Sequence, residues 1–333
     1  MEKVNKVNKI NVRITLEGHG LVNYNGNRVP ERFIKEMIAD GKVTKNGNFG
    51  KENLYSTTII NDEGKEETII TPKKIISGNL MRKKICGGEN TPNADVLCSV
   101  PESRASFLSQ DNVIVRGFAT MEKDGVNLHR KSAITVTDAE QISDIKTNID
   151  TRSAEGKRDD TSLFFVEKCG HIEYESNASF DIKQLQFIST DDDYDRMTLK
   201  ETDVDLFIEH IDERYGKGNA KYGNWGTSHR NIMGEQGIIL SNKVAAGLVR
   251  STIEKMLMIN IKHATSYAKT KSIEISLGYE NDEFDLITNP VYHNINNMKE
   301  YDTLMKGKVI GENFIKIQAP VIEKKEKKVK AKK

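Results

Sequence analysis

The clearest hydrophobic pattern lies near the start of the chain, where apolar and polar residues alternate. Every second residue from Ile10 to Leu16 is apolar, so a strand here has one apolar and one polar face. The alternation ends at Gly18 and His19, and the glycines and asparagines that follow are typical of an exposed loop. The pattern predicts a half-buried strand that runs into a loop.

Two later segments have the 3.6-residue period of amphipathic helices. In Glu201 to Tyr215 the apolar residues recur on one helical face. In the segment after Ser241 the apolar residues recur as far as Leu257, and Ser241 is a good N-cap. We therefore predict two helices, the second being the longest in the chain.

Further short apolar runs predict strands, and this mixture defines the fold class. The predicted strands cover Glu67 to Ile70, Val113 to Met121, Leu163 to Val166, Ile172 to Tyr174, Phe180 to Ile188, Gly237 to Leu240 and Ile273 to Tyr279. Helices lie between these strands without regular βαβ repeats, which favours an α+β fold over a doubly wound α/β fold.

The strongest charge signal is the segment 73–84, which carries five cations and no acid. Its cations are Lys73, Lys74, Arg82, Lys83 and Lys84. Ser77 or Asn79 can cap a helix start here, which would leave free N–H groups beside Lys73 and Lys74. A helix N-terminus surrounded by cations binds phosphate. The segment therefore predicts a surface that binds a polyanion.

A second candidate for nucleic-acid contact is the loop from Gly216 to Gly226. It contains four glycines together with Lys221 and Trp225, residue types that suit a flexible finger touching bases and phosphates. An ordinary surface loop explains the same composition. Arg230, just beyond the loop, joins the candidate RNA-binding residues.

The composition limits the possible partners and compartments. The formal net charge is +1, and the terminal stretch 323–333 holds seven lysines and two glutamates, so the rest of the chain is slightly acidic. Nucleic-acid affinity must then come from local patches, and the lysine-rich tail is expected to be disordered. Three scattered cysteines suit a reducing cytoplasm, and without an apolar leader or an eighteen-residue apolar run we expect no membrane contact.

The sequence gives little support for a metal centre or for nucleotide hydrolysis. Cys169 and His171 are the only close pair of metal-ligand type, so buried neutral cysteines are expected, and we predict no cofactor. Gly156-Lys157 is followed by Arg158, which breaks the phosphate-binding loop pattern. Carboxylates at 159–160 and 191–195 leave two-metal nuclease chemistry as an alternative.

Several short segments, taken in order, resemble one family. They are Gly18-His-Gly-Leu-Val-Asn-Tyr-Asn-Gly26, Ile76-Ser-Gly-Asn79 with Arg82, Arg158-Asp-Asp-Thr-Ser-Leu-Phe-Phe165 and Gln184-Leu-Gln-Phe-Ile-Ser189. Together they are similar to the backbone subunit of the CRISPR Cascade surveillance complex, in its type I-F variant form.

The resemblance implies a fold and a set of partners. The fold would be an RNA-recognition-motif (ferredoxin-like) palm with inserted finger and thumb elements. Copies would stack head to tail along one CRISPR RNA, in an open helical filament. Further Cascade subunits would bind the 5′ and 3′ ends of the guide, and the guide would pair with target DNA.

The resemblance also implies domain boundaries and site residues. The palm would comprise 1–20, 66–122, 158–190 and 236–285, with insertions at 21–65 and 123–157, a thumb-like insertion at 191–235, a C-terminal extension at 286–322 and the tail at 323–333. Residues that match the family's RNA-binding segments are His19, Asn23, Asn25, Ser77, Asn79, Arg82, Lys83, Arg158 and Gln186.

Two alternative functions stay open at this point. A relative in the same superfamily could cut guide-paired RNA with a metal held by Asp159, Asp160 or the Asp191 cluster. Alternatively, the basic tail could dock a partner protein, with RNA binding incidental. The leading prediction is a non-catalytic subunit that coats CRISPR RNA in many copies.

Overall fold

The computed structural model describes most of the chain. The described residues are 5–19, 53–60, 66–73, 75–87, 104–121, 127–143, 147–153, 163–169, 171–191, 197–225, 235–263, 266–279 and 290–311. The lysine-rich tail lies outside them.

Eighteen strands occur in the described residues. They are β1 Asn5–His19, β2 Asn53–Ile60, β3 Glu66–Lys73, β4 Ile75–Ile76, β5 Phe118–Met121, β6 Asn127–Arg130, β7 Ile134–Val136, β8 Ala139–Gln141, β9 Thr147–Ser153, β10 Leu163–Cys169, β11 His171–Asp181, β12 Phe187–Ser189, β13 Ala220–Trp225, β14 Glu235–Leu240, β15 Asn260–His263, β16 Ser266–Tyr279, β17 His293–Ile295 and β18 Lys308–Ile310.

Seven α-helices occur in the same part of the chain, and a 3₁₀ turn at Glu201–Asp203 leads into the fifth of them. The helices are α1 Gly78–Cys86, α2 Arg104–Leu108, α3 Asp111–Arg116, α4 Ile182–Gln186, α5 Val204–Tyr215, α6 Asn242–Leu257 and α7 Met298–Met305. The predicted mixture of helices and strands, an α+β fold, is confirmed.

The main sheet is built around β1. β1 lies between β11 and β16 and is antiparallel to both, and β11 pairs in turn with β7 and β8. Short strands extend this frame, and one of them, β18, runs parallel to β1. Along the chain the frame is β1, α1, β7–β8, β11, α6 and β16, so each helix joins two strands that are not neighbours in the sheet.

The strict alternation of β1 separates the two faces of this sheet. The even-numbered side chains from Ile10 to Leu16 are almost fully buried, whereas the odd-numbered ones are only partly buried. The buried side chains share one hydrophobic cluster with residues of α1 and α6, and these two helices pack against each other. The opposite face of the sheet is polar, as the alternation predicts.

The sequence located several elements correctly. β1 includes the predicted alternation, and α5 and α6 cover the two predicted helices. The Ser241 hydroxyl accepts a hydrogen bond from the Val244 N–H at 3.3 Å, which confirms the predicted cap of the longest helix.

Three local predictions are wrong. The predicted strand Val113 to Met121 begins as α3 and becomes a strand only at Phe118. The predicted strand Phe180 to Ile188 is interrupted by α4, which begins where the Asp181 carboxylate accepts a hydrogen bond from the Gln184 N–H. Part of the predicted loop Gly216 to Gly226 is strand β13, because it pairs with β14.

A buried arginine joins the elements that support α1. Arg130, at the end of β6, is only 3 % exposed. Its guanidinium donates hydrogen bonds to the carbonyls of Ile114, Phe187, Gln184 and Leu185 at 2.7–3.3 Å. Burial lowers the pKa of Arg130 to about 9, so the group is still charged at neutral pH.

These contacts place a positive charge at the carbonyl ends of α4 and α3. Cations are favourable at such ends, because the helix dipole is negative there. α3 packs directly on α1, so Arg130 indirectly fixes the position of α1.

We predict that Arg130→Met lowers the free energy of unfolding by about 3 kcal/mol or more, because four carbonyls, two of them in buried contacts, lose their donor. Urea denaturation followed by circular dichroism measures this. The matched control is Lys131→Met at the exposed neighbouring position, which should change stability by less than about 0.5 kcal/mol. Equal midpoints for the two variants would contradict the role of Arg130.

Candidate nucleic-acid interface

The basic segment predicted from the sequence forms α1, an amphipathic helix with a cationic outer face. Met81, Ile85 and Cys86 are buried, while Asn79, Lys83 and Lys84 are exposed. This division follows from the helical period, since residues three and four apart lie on one face. No acidic residue occurs in α1, so its outer face is cationic.

Ser77, one of the two predicted candidate caps, begins the helix. Its hydroxyl accepts a hydrogen bond from the Leu80 N–H at 3.4 Å, and Ser77 itself is buried. Ser77 therefore acts as a cap, and its hydroxyl is turned to the helix rather than to solvent.

The expectation of free N–H groups at this helix start is wrong for two of them. The Gly78 N–H donates to the Asp138 carboxylate at 2.6 Å, and the Leu80 N–H is used by Ser77. Asp138 lies between β7 and β8, 60 residues further along the chain. A carboxylate already bonds to the first N–H group of α1, so the exposed side chains of α1 are the main candidates for anion binding.

Arg82 is oriented by the first turn of its own helix. Its Nη2 donates to the Asn79 side-chain oxygen at 3.3 Å. Its Nε is buried, and no acceptor among the described residues bonds to it. The two predicted RNA-binding residues Asn79 and Arg82 thus form one polar unit on the half-exposed side of α1.

Two further cations lie close to the C-terminal end of α1. Burial raises the pKa of the Cys86 thiol to about 11, while the positive charges of Arg116, Lys255 and Arg82 act in the opposite direction. Arg116 ends α3 and Lys255 lies in the last turn of α6. The charges of cations on three helices therefore act on this buried thiol.

Sequence reasoning missed Arg116 and Lys255. Each is a basic residue in the last turn of a helix, a position that stabilises the helix dipole with or without a ligand. Their sequence positions give no sign that α3 and α6 meet α1.

The other predicted site residues are distributed over several elements. His19 is exposed at the end of β1, and Lys221 is exposed on β13. Gln186 is buried, and its amide donates to the Leu240 carbonyl at 2.9 Å, so the amide faces the interior. Lys73 ends β3 and Trp225 ends β13. Asn23, Asn25, Lys74, Arg158 and Arg230 lie outside the described residues.

The carboxylates of the nuclease alternative fall mostly in undescribed parts of the chain. Asp191 is described, and its N–H donates to the Ser189 hydroxyl at 3.2 Å, whereas Asp159, Asp160 and 192–195 are not described. Within the described residues, no three side chains of His, Cys, Asp or Glu are arranged to hold a metal ion. None of the described helices is long and apolar enough to cross a membrane.

Comparison with known proteins identifies one family. The family described as "Type I-Fv CRISPR-associated protein Cas7fv-like" matches residues 6–306 of the chain. No curated protein matches this chain.

Three solved structures are similar at low identity. A chain of a "CRISPR RNA-guided surveillance complex" is 9% identical, with a TM-score of 0.36, and the match covers 90% of this chain and 82% of that one. A second, "CRISPR RNA-guided surveillance complex, pre-nicking", is 9% identical, with a TM-score of 0.34 and coverage of 82% and 77%. A "Type IV-B CRISPR Complex" chain is 12% identical, with a TM-score of 0.25 and coverage of 70% and 90%. These TM-scores are too low to support an argument.

We predict that Asp138→Ala destabilises the protein by about 1 kcal/mol, because the first N–H of α1 loses its acceptor. Asp138→Asn should cost less, since its amide oxygen still accepts the bond. Urea denaturation of both variants measures the difference. Glu209→Ala, at an exposed position of α5, is the control, and an Asp138→Ala midpoint equal to that of the control would show that the contact contributes nothing.

Proposed function

Because the chain belongs to the Cas7fv-like family of type I-Fv CRISPR-associated proteins, we propose that it binds CRISPR RNA as a repeated backbone subunit of Cascade. The observation that carries this proposal is the outer face of α1. Asn79, Lys83 and Lys84 are exposed there, in a helix without acidic residues. Such a face attracts a phosphate backbone in a protein whose overall charge is close to zero.

The mode of binding is contact between cationic side chains and phosphates. Arg82, Lys83 and Lys84 supply charge from α1, and Arg116 and Lys255 add charge beside its C-terminal end. These contacts do not depend on base identity, so the guide keeps its base edges for pairing. The chain holds the guide, and the guide selects the target DNA.

The main sheet supports a more specific assignment of the fold. We propose that it is an RNA-recognition-motif-like palm, with β1, β11 and β16 as three of its four core strands and β7–β8 as the fourth. Within this frame, and with β7–β8 taken as one strand, the order of strands and helices is β-α-β-β-α-β, and β1 lies between β11 and β16. The connectivity is that of the ferredoxin-like motif. The predicted domain boundaries remain part of this proposal.

The assembly that follows is a filament of identical copies. Head-to-tail contacts between copies extend without closing into a ring, and the guide fixes the length of the array. Other Cascade subunits would bind the two guide ends. In this proposal the chain itself breaks no bond.

We predict that the double variant Arg82→Ala with Lys83→Ala loses most of the RNA that co-purifies with the protein and forms shorter filaments. After the bound RNA is removed, the slope of log affinity against log salt for single-stranded RNA should fall by about 1.4, the value for two lost phosphate contacts. Fluorescence anisotropy in a salt series measures the slope, and electron microscopy measures filament length.

The matched control removes two exposed lysines elsewhere, Lys299→Ala with Lys306→Ala. It should leave RNA loading, salt slope and filament length unchanged. If the two double variants retain the same amount of RNA, the guide is held elsewhere and α1 is not its binding surface.

We also predict that deleting residues 324–333 leaves most of the co-purified RNA in place. A binding surface on folded elements does not need the tail, whereas a tail-driven binder would lose its RNA with it. The absorbance ratio at 260 and 280 nm, measured after purification, distinguishes the two cases.

A further inference from the structure

We propose that Lys262, Tyr267, His19 and His171 form a second nucleic-acid contact, a row of side chains that stacks on unpaired bases of a single strand. We call it the sheet-end row. This inference rests on the proposed function, because it adds a base-contacting site to a chain already proposed to hold RNA by phosphate contacts.

The strand register places these four residues side by side. His19 of β1 is directly opposite His171 of β11 on one side and Tyr267 of β16 on the other. Tyr267 in turn is opposite Lys262 of β15. Directly opposite residues point to the same face of an antiparallel sheet, with Cβ atoms about 5 Å apart. The row therefore crosses four adjacent strands over roughly 15 Å.

Gly18 allows the close approach of two of these strands. A Cβ atom at Gly18 would lie 2.2 Å from the Tyr267 carbonyl oxygen. Only glycine permits this separation, which brings the backbones of β1 and β16 together beside His19.

The members of the sheet-end row are exposed. Tyr267 is 44% exposed, an unusual value for a large aromatic side chain. The His171 side chain is 62% exposed, and His19 and Lys262 are also exposed. No hydrogen bond or ion pair with another described residue engages the side chains of His19, Tyr267 or Lys262, whereas the His171 ring lies 3.6 Å from the Glu173 carboxylate.

The cations next to the row on the same face are paired with carboxylates. Glu17 pairs with Lys269 at 3.0 Å, and Glu173 pairs with Lys271. The Lys271 ammonium holds the pKa of the Glu173 carboxyl below its usual range. These cations are already neutralised by carboxylates on the same sheet, so this part of the face does not attract phosphate.

The centre of the face is neutralised in the same way. Arg13 bonds to Glu274 at 2.9 Å, lies 3.7 Å from Glu175 and stacks over the Tyr292 ring at 4.4 Å. Lys262 of the sheet-end row, unlike Arg13, Lys269 and Lys271, is therefore not paired with a carboxylate of the described residues. A strand bound there must run along the row, across the β-strands.

The chemistry of the row selects a single-stranded ligand. A phenol ring and two imidazole rings offer flat surfaces for bases, and Lys262 offers a cation for phosphate. Bases are available for stacking only where they are unpaired, and a row of this length accommodates about two or three of them. The strand could be the guide itself or an unpaired target strand, which share this chemistry.

The test compares two substitutions of Tyr267 in the full chain after bound nucleic acid has been removed. Tyr267→Ser should weaken binding of a labelled oligouridylate by about tenfold, the loss of one stacked base. Tyr267→Phe should bind as tightly as the parent, because it keeps the ring. Fluorescence anisotropy measures both affinities, and an oligothymidylate of equal length shows by its relative affinity whether RNA or DNA is preferred.

Control variants show whether a loss of affinity is specific to the sheet-end row. His293→Ala, an exposed histidine on β17, should bind as the parent does, whereas His19→Ala should weaken binding. Unchanged affinity in Tyr267→Ser would overturn the proposal, and so would an equal loss in Tyr267→Phe. A lower melting temperature with unchanged affinity would mean that the chain's own residues cover the row, which also overturns it.

The experiments distinguish failure of the sheet-end row from failure of the proposed function. Tyr267→Ser could leave the oligonucleotide affinity unchanged while the Arg82 and Lys83 double variant loses its RNA. In that case the proposal for the sheet-end row is wrong, and the proposed backbone role is still supported. If the parent protein neither retains RNA nor binds either oligonucleotide, the proposed function fails as well.

Discussion

The alternation of buried and polar side chains along β1 is the constraint on which the rest of the structure depends. The buried residues from Ile10 to Leu16 require a covering layer, and they share their hydrophobic cluster with α1 and α6. The apolar side chains of α1 pack in this layer, and Lys83 and Lys84 on the other side of the helix are exposed. The cationic surface is therefore a consequence of the packing beneath it.

The same packing determines how α1 can bind an anion. Asp138 and Ser77 use N–H groups at the start of the helix, so this end contributes to holding the helix in place. In the proposed binding mode the side chains supply the contacts to phosphate, with Arg82 held by Asn79 and with the charges of Arg116 and Lys255 acting on the same end of α1. A surface of this kind binds a phosphate backbone whatever the base sequence.

Patterns within a single strand or helical turn were enough to identify several elements of the fold. The alternation of β1, the period of α6 and the Ser77 and Ser241 caps can all be recognised within one turn or one strand. The short helix α3 could not, because its residues from Asn112 to Val115 are all buried, and a short run that is buried all round has no period that separates helix from strand.

Features that depend on distant parts of the chain were not accessible in this way. Asp138 meets Gly78 across 60 residues, and the Gln186 amide meets Leu240 across 54 residues. The latter contact directs the amide of Gln186, a predicted RNA-binding residue, towards the interior. The sheet-end row likewise exists only through the register of four strands. The family resemblance, which rests on several short segments in order, is confirmed by the match over residues 6–306.

The most direct test of the proposed RNA binding is to map where RNA that co-purifies with the protein contacts it. Ultraviolet cross-linking of the purified complex, followed by mass spectrometry, identifies the peptides attached to nucleotides. Our account predicts cross-links in the peptide that contains Asn79 to Lys84. Cross-links confined to the terminal stretch 323–333, with none on α1, would contradict it.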